Sequence, residues 1–165
     1  MGKEIEIEDK YAGITKALIK RHITITTMES CTSGLIASYL TDTEGASEIF
    51  KGAFVTYSNE AKKKQGVPSV IIDEYGVYSL KTATAMAHAA GEAYDADISI
   101  GVTGTMGNVD PANADSQPGE VFFAIDYRGS LTTRRLNIEP QKTRHEYKLC
   151  VADLIADELY RLLDL

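Results

Sequence analysis

The chain has 165 residues, 44% hydrophobic and 25% charged, a balance that suits one globular domain, 1–165, with a sizeable core. Its formal net charge of −7 argues against an electrostatic nucleic-acid face, which needs clustered basic residues, yet leaves room for a small anionic ligand held by local donors. No apolar stretch reaches the length of a membrane span, and the charged segment Met1 to Asp9 lacks a signal-peptide core, so a cytoplasmic location with no membrane attachment is expected. The two cysteines, Cys31 and Cys150, make neither a disulfide framework nor a zinc site.

From the N-terminus, Tyr11, Ile14, Ala17 and Leu18 fall at helical spacing and predict an amphipathic helix from Tyr11 to His22. Ile23 to Thr27 alternates Ile and Thr, gains Met28, and predicts a strand. Thr32 to Thr41 reads as a helix and Phe50 to Ser58 as a second strand. Asn59 to Gln65 is a short helical turn, with Asn59 as N-cap and Gly66 as stop. A further short helix, Ser69 to Glu74, follows Pro68 and ends by Gly76. A long Ala-rich helix from Ser79 to Tyr94 leads into a buried strand, Ile98 to Val102. Gly104 to Gly119 is a polar loop long enough to be functional or mobile. Glu120 to Tyr127 and Leu131 to Asn137 are strands around an Arg128-Gly129 hairpin turn, and Pro140 opens a C-terminal helix with Leu149, Ala152, Leu154, Ile155, Leu159 and Leu162 on its apolar side. Strands alternating with helices, plus one late hairpin, predict an α/β fold: a three-layer α/β/α sandwich around a mixed, mostly parallel central sheet.

The segment Thr27-Met28-Glu29-Ser30-Cys31-Thr32-Ser33-Gly34 joins a strand to a helix through a turn rich in hydroxyls. Such a turn presents a side-chain nucleophile and free backbone N–H groups to one ligand. Ser30 is the candidate nucleophile and needs a base. His22, His88 and His145 are poorly placed for a Ser-His-Asp triad. Lys62, one helical turn beyond the Tyr57 strand, reaches Ser30 if the two strands end at the same edge, and Tyr57 then relays a proton or orients the lysine. The plainer readings stand beside these: Ser30 as a helix cap, Lys62 within the solvated run Lys62-Lys63-Lys64, Cys31 as a rival nucleophile or as inert packing.

Three motifs in order, Glu29-Ser30-Cys31-Thr32-Ser33-Gly34, Tyr57-Ser58-Asn59-Glu60-Ala61-Lys62 and Val102-Thr103-Gly104-Thr105-Met106-Gly107, resemble the CinA C-terminal domain family, whose characterised enzymes are nicotinamide mononucleotide (NMN) amidohydrolases. The resemblance implies metal-free, cofactor-independent hydrolysis of the NMN carboxamide in the pyridine nucleotide cycle. Ser30 then matches the nucleophile, Lys62 the base and Tyr57 its assisting hydroxyl. Cys31, Thr32, Ser33, Gly34, Asn59, Thr103 and Gly104 become candidate substrate contacts, with Asn59 equally readable as a cap. Self-association into a homo-oligomer is an expectation carried by the resemblance alone. Three departures bear on the substrate. Ser33 stands where the family usually has Gly, Gly107-Asn108-Val109-Asp110-Pro111 and a longer polar insertion replace a Gly-rich loop, and Lys142 and Glu146 occupy two arginine positions. Glu146 there would repel a phosphate, with Arg144 or Lys148 as compensating cations. These departures keep two alternatives open: a non-catalytic nucleotide-binding or regulatory module, and an amidase for another small amide.

Overall fold

The computed structural model describes residues 2–165; Met1 lies outside the described residues. Its first element, α1 (Gly2–Arg21), starts well before the expected Tyr11, because Ile7 joins Tyr11, Ile14 and Leu18 in one buried stripe spaced by four, three and four residues. Helix α6 (Arg144–Leu163) lies beside α1 and runs in the same direction: Glu4 meets His145, Lys10 binds Asp153 and Asp157, and Arg21 donates to the Leu163 carbonyl. α6 begins at Arg144 rather than Pro140, since Thr143 and Glu146 form a capping box that fixes its start.

Among the described residues five strands form the sheet: β1 (Ile25–Glu29), β2 (Phe54–Val55), β3 (Ile98–Gly104), β4 (Glu120–Tyr127) and β5 (Ser130–Asn137). Their order is β2-β1-β3-β4-β5. β1 pairs in parallel with β2 and β3, whereas β4 is antiparallel to both neighbours, so β4 alone opposes the common direction. The expected mostly parallel sheet with one reversed member is what forms. Arg128 and Gly129 have φ of 50° and 87°, the paired left-handed conformations of a tight hairpin turn whose twist matches the flanking strands.

Helices cover both faces. Ile98, Ile100 and Val102 of β3 and Val121, Phe123 and Ile125 of β4 point into a cluster with α1, α6 and α2 (Leu35–Thr41). On the opposite face lies α5 (Leu80–Tyr94), where Ala83 and Ala87 meet Phe122 and Ala124, and Met86 and Ala90 meet Met28. α5 sits directly on β3 because Gly101 has no side chain. A Cβ there would lie 2.6 Å from the Ala87 amide nitrogen and on top of the Ala83 carbonyl. Two short helices, α3 (Asn59–Lys64) and α4 (Ser69–Tyr75), precede α5. β2 is far shorter than the predicted Phe50–Ser58 strand, and Ala46–Glu48 forms a 3-10 turn that the sequence did not announce.

This register sets up the site. Glu29 at the end of β1 is level with Val55 on one side and Val102 on the other. The chain therefore leaves β1, β2 and β3 along one edge, and Ser30, Thr56-Tyr57 and Thr103-Gly104 emerge side by side. Carboxyl ends of parallel strands are the usual ligand crevice of open α/β sheets.

Candidate active site

Ser30 is held by the sheet itself: its N–H donates to the Val102 carbonyl at 3.1 Å. The next residues turn sharply, with Ser33 at φ 51° and Gly34 at φ 91°, before α2 begins at Leu35. The turn is braced from below by Glu29, fully buried, whose carboxylate accepts Thr27 Oγ1 at 2.9 Å, Thr32 Oγ1 at 2.7 Å, Ile36 N at 3.0 Å and Ala37 N at 2.9 Å. Four donors, two of them from the first turn of α2, compensate a charge that would otherwise be costly to bury. Among the described residues the N–H groups of Cys31 and Thr32 donate to no backbone carbonyl.

Lys62 is the second fixed point. Ser58, not Asn59, caps α3 by accepting Ala61 N–H at 3.0 Å. The next turn of helix turns Lys62 inward while Lys63 and Lys64 stay exposed, so the lysine run is divided between core and solvent. Lys62 is 2% exposed, and its Nζ lies 3.1 Å from Ser30 Oγ and donates to the Thr56 carbonyl at 3.0 Å. No carboxylate bonds to it among the described residues. Burial lowers its pKa from 10.5 to about 8, against a smaller opposing pull from Cys31 and Asp110.

Above this pair opens a cleft of about 440 Å³, walled by Ser30 and Cys31, by Tyr57 and Asn59, by Tyr78, by Gly104 to Met106, by the loop at Asn108 to Asn113, and by Arg144. The loop is folded rather than loose. Asp110 accepts Tyr78 Oη at 2.6 Å, Asn113 Nδ2 at 2.6 Å and Ala112 N at 2.9 Å, and its own N–H donates to Ser116 Oγ at 2.7 Å. Asn59 Nδ2 donates to Asn113 Oδ1 at 2.9 Å, which ties the loop to the first turn of α3. Tyr57 is 62% exposed on the rim, its Oη accepting Arg144 Nη2 at 2.9 Å.

Ser30, Lys62, Cys31, Tyr57, Asn59 and Gly104 thus gather at one place, although Tyr57 bonds to Arg144 rather than to Lys62 or Ser30. Four other candidates lie off the cleft wall. The Thr32 hydroxyl is spent on Glu29, and the Thr103 hydroxyl on the Val77 carbonyl at 3.1 Å. Ser33 is exposed, and Gly34 serves the turn. The serine at position 33 therefore does not crowd the cleft. Cys31 is buried, and burial pushes its thiol up to about 12, which leaves almost no thiolate near neutrality. Glu146 binds the backbone amides of Lys142 and Thr143 in the α6 cap and is absent from the cleft wall, whereas Arg144 is on it. Tyr78, Asp110 and Asn113 were not singled out as site residues. The polar loop Gly104 to Gly119 carried the signal for Asp110 and Asn113, whereas Tyr78, outside it, had none.

Residues 8–161 match the CinA C-terminal domain. A competence-damage inducible protein of Moorella thermoacetica is 40% identical over 131 residues, which cover 78% of this chain and 31% of that protein. Its counterpart in Clostridium beijerinckii is 35% identical over 162 residues, covering 98% of this chain and 38% of that protein. The chain thus spans about a third of the length of these relatives. Among solved structures, a competence/damage inducible protein of Agrobacterium tumefaciens superposes with a TM-score of 0.85 at 29% identity, covering 96% of both chains. A CinA superfamily protein of Escherichia coli gives 0.85 at 30% identity, covering 94% of this chain and 90% of that one. Sequence and fold agree over nearly the whole length, and the chain belongs to the CinA C-terminal domain family.

Proposed function

We propose that this chain is a Ser/Lys amidohydrolase that cleaves the carboxamide of a pyridine nucleotide, with nicotinamide mononucleotide as its substrate. The observation that supports it most is the Ser30–Lys62 contact of 3.1 Å, made by a buried lysine with no carboxylate partner. Burial without a carboxylate partner favours the neutral amine that a serine nucleophile needs.

In this reading neutral Lys62 takes the proton of Ser30 Oγ as the oxygen attacks the carboxamide carbon. The tetrahedral oxyanion is met by the N–H groups of Cys31 and Thr32, which have no backbone partner. The Ser30 amide is bound to Val102 and contributes nothing there. Lys62 passes its proton to the leaving nitrogen, the C–N bond breaks and ammonia departs. Water, deprotonated by Lys62, then attacks the ester on Ser30, giving the carboxylate and restoring the hydroxyl. Tyr57, with its Oη held by Arg144, stands at the cleft mouth and orients substrate rather than Lys62. Arg144 supplies the cleft with a positive charge for an anionic substituent.

The competing idea of a binding module drew on the altered loop and on Glu146 facing a phosphate; Glu146 sits in the α6 cap instead, while the altered loop walls the cleft. Purified protein incubated with the mononucleotide, chelator present, is expected to release ammonia, whereas Ser30→Ala and Lys62→Met release none above background. Turnover retained by folded Ser30→Ala would overturn the nucleophile. Silence from the wild type with this substrate, but not with other small amides, would move the substrate and keep the chemistry.

A further inference from the structure

The cleft is spanned by an unbroken line of side-chain hydrogen bonds. Tyr78, just before α5, donates to Asp110 at 2.6 Å; Asn113 donates to the same carboxylate at 2.6 Å; Asn59 donates to Asn113 at 2.9 Å. Asn59 is the first residue of α3, and Lys62 lies three residues on, on the same side of that helix. The line therefore begins on the α5 wall and ends on the helix that aims the lysine at Ser30. We propose that Asp110 is a positioning residue for the Ser30–Lys62 pair: through Asn113 and Asn59 it holds α3 in place, and from the cleft wall that it shares with Ser30 its carboxylate favours the charged form of the lysine.

Two carboxylates, Glu60 and Asp110, border the cleft near Lys62, and Asp110 is the one bonded through Asn113 and Asn59 to the lysine's helix. The β1 end offers Ser30 and the thiol of Cys31, with Glu29 beneath them spent on four donors. The end of β2 offers the Thr56 carbonyl and the outward-facing Tyr57. On its own helix Glu60 borders the cleft and Lys63 and Lys64 face solvent. α6 offers Arg144, occupied with Tyr57, and the α5 entry offers Tyr78, occupied with Asp110. Tyr78 itself resists ionisation, first because it is buried and then because it donates to Asp110, so it stays a donor at working pH. Asp110 is correspondingly held below the usual carboxylate range by the Tyr78 and Asn113 donors and remains an anion.

The proposal rests on the Ser30/Lys62 reading only for what the pair does, and its test separates the two. Lys62 is titrated by side-chain NMR, its signal identified by its loss in Lys62→Met. In Asp110→Asn the Lys62 midpoint is expected to fall by about half a pH unit or more, because an anion that favours the ammonium has gone. Tyr78→Phe leaves the carboxylate one donor short and is expected to move the midpoint the other way. A midpoint within about 0.1 unit of wild type in both variants overturns the electrostatic half, a threshold set by the size of one pair interaction. The tether is read by labelling of Ser30 with a fluorophosphonate. Asn113→Ala keeps the charge and cuts the link, and is expected to slow labelling about tenfold without an acid shift of Lys62. Labelling at the wild-type rate overturns the tether. If the wild type itself is not labelled, the hydrolase reading falls, while the NMR titration still decides the role of Asp110.

Discussion

At the scale of a single residue, burial of one amine dominates. With a pKa of about 8, about one Lys62 in ten is neutral at pH 7, against about one in three thousand at the ordinary value of 10.5. That neutral fraction has a cost in stability. Below pH 8 the lysine is charged in both folded and unfolded chains, and the full penalty of burying an ammonium is present. Between 8 and 10.5 the unfolded chain keeps the proton that the folded chain has lost, so folding becomes more favourable as pH rises; above 10.5 the penalty has gone. Lys62→Met is therefore expected to be more stable than the wild type at pH 7, by about 1–3 kcal/mol, while losing activity. Urea unfolding at pH 7 and pH 10 checks this: the advantage should shrink at the higher pH, and an equal gap at both would contradict the assignment. Sequence could not deliver this property. Spacing left Lys62 open between a base reaching Ser30 and one of three solvated lysines, and the rotation of α3 set by the Ser58 cap makes it a core residue.

Among the elements, the β1–α2 connection is held by one carboxylate. Glu29 was legible as part of a motif but not as a brace, since four donors converge on it only once α2 has folded back over the end of β1. Its removal in Glu29→Ala leaves two hydroxyls and two amides buried without an acceptor, and is expected to cost about 3–5 kcal/mol in chemical denaturation. Faster hydrogen exchange at Ile36 and Ala37 should accompany the loss. Elsewhere the success of the sequence reading followed the strength of local signals. The Arg128-Gly129 turn, the Ala-rich α5 and the strands of the late hairpin were readable, because turn chemistry and periodicity are properties of neighbouring residues. Boundaries failed where a longer-range partner decides. The alternating Ile and Glu of residues 4–8 hide a helix whose stripe shows only against α6, and Glu146 read as a charge turned out to be half of a capping box. Asn59 failed in the same way, its capping role taken by Ser58 one residue earlier.

Across the whole molecule, the site exists because three parallel strands finish together. Composition and element order predicted the layers, but not the order β2-β1-β3, which brings Lys62 to Ser30 across 32 positions of sequence. The motif resemblance gave the two residues paired roles, and the strand order gives their contact. The tight seating of α5 on β3 at Gly101 fixes how the layers stack, and Gly101→Ala is expected to destabilise the protein by several kcal/mol, about 3 or more, as overpacking against helix backbone rather than a flexible side chain. A thermal melt reads this directly, and an unchanged midpoint would mean that α5 can lift from the sheet.

The amide bond from Ser30 to Val102 has a consequence for how such a protein can change over time. Ser30, the proposed nucleophile, is bonded to the sheet and inherits its placement from strand pairing. The opposite wall of the cleft, from Asn108 to Asn113, belongs to a surface loop closed by a few side-chain bonds. On the proposed reading, reactivity and choice of ligand are thus written in different stretches of chain with different tolerance for replacement. A lineage can redraft the loop, and with it the shape of the cleft, without touching the Ser30–Lys62 contact beneath.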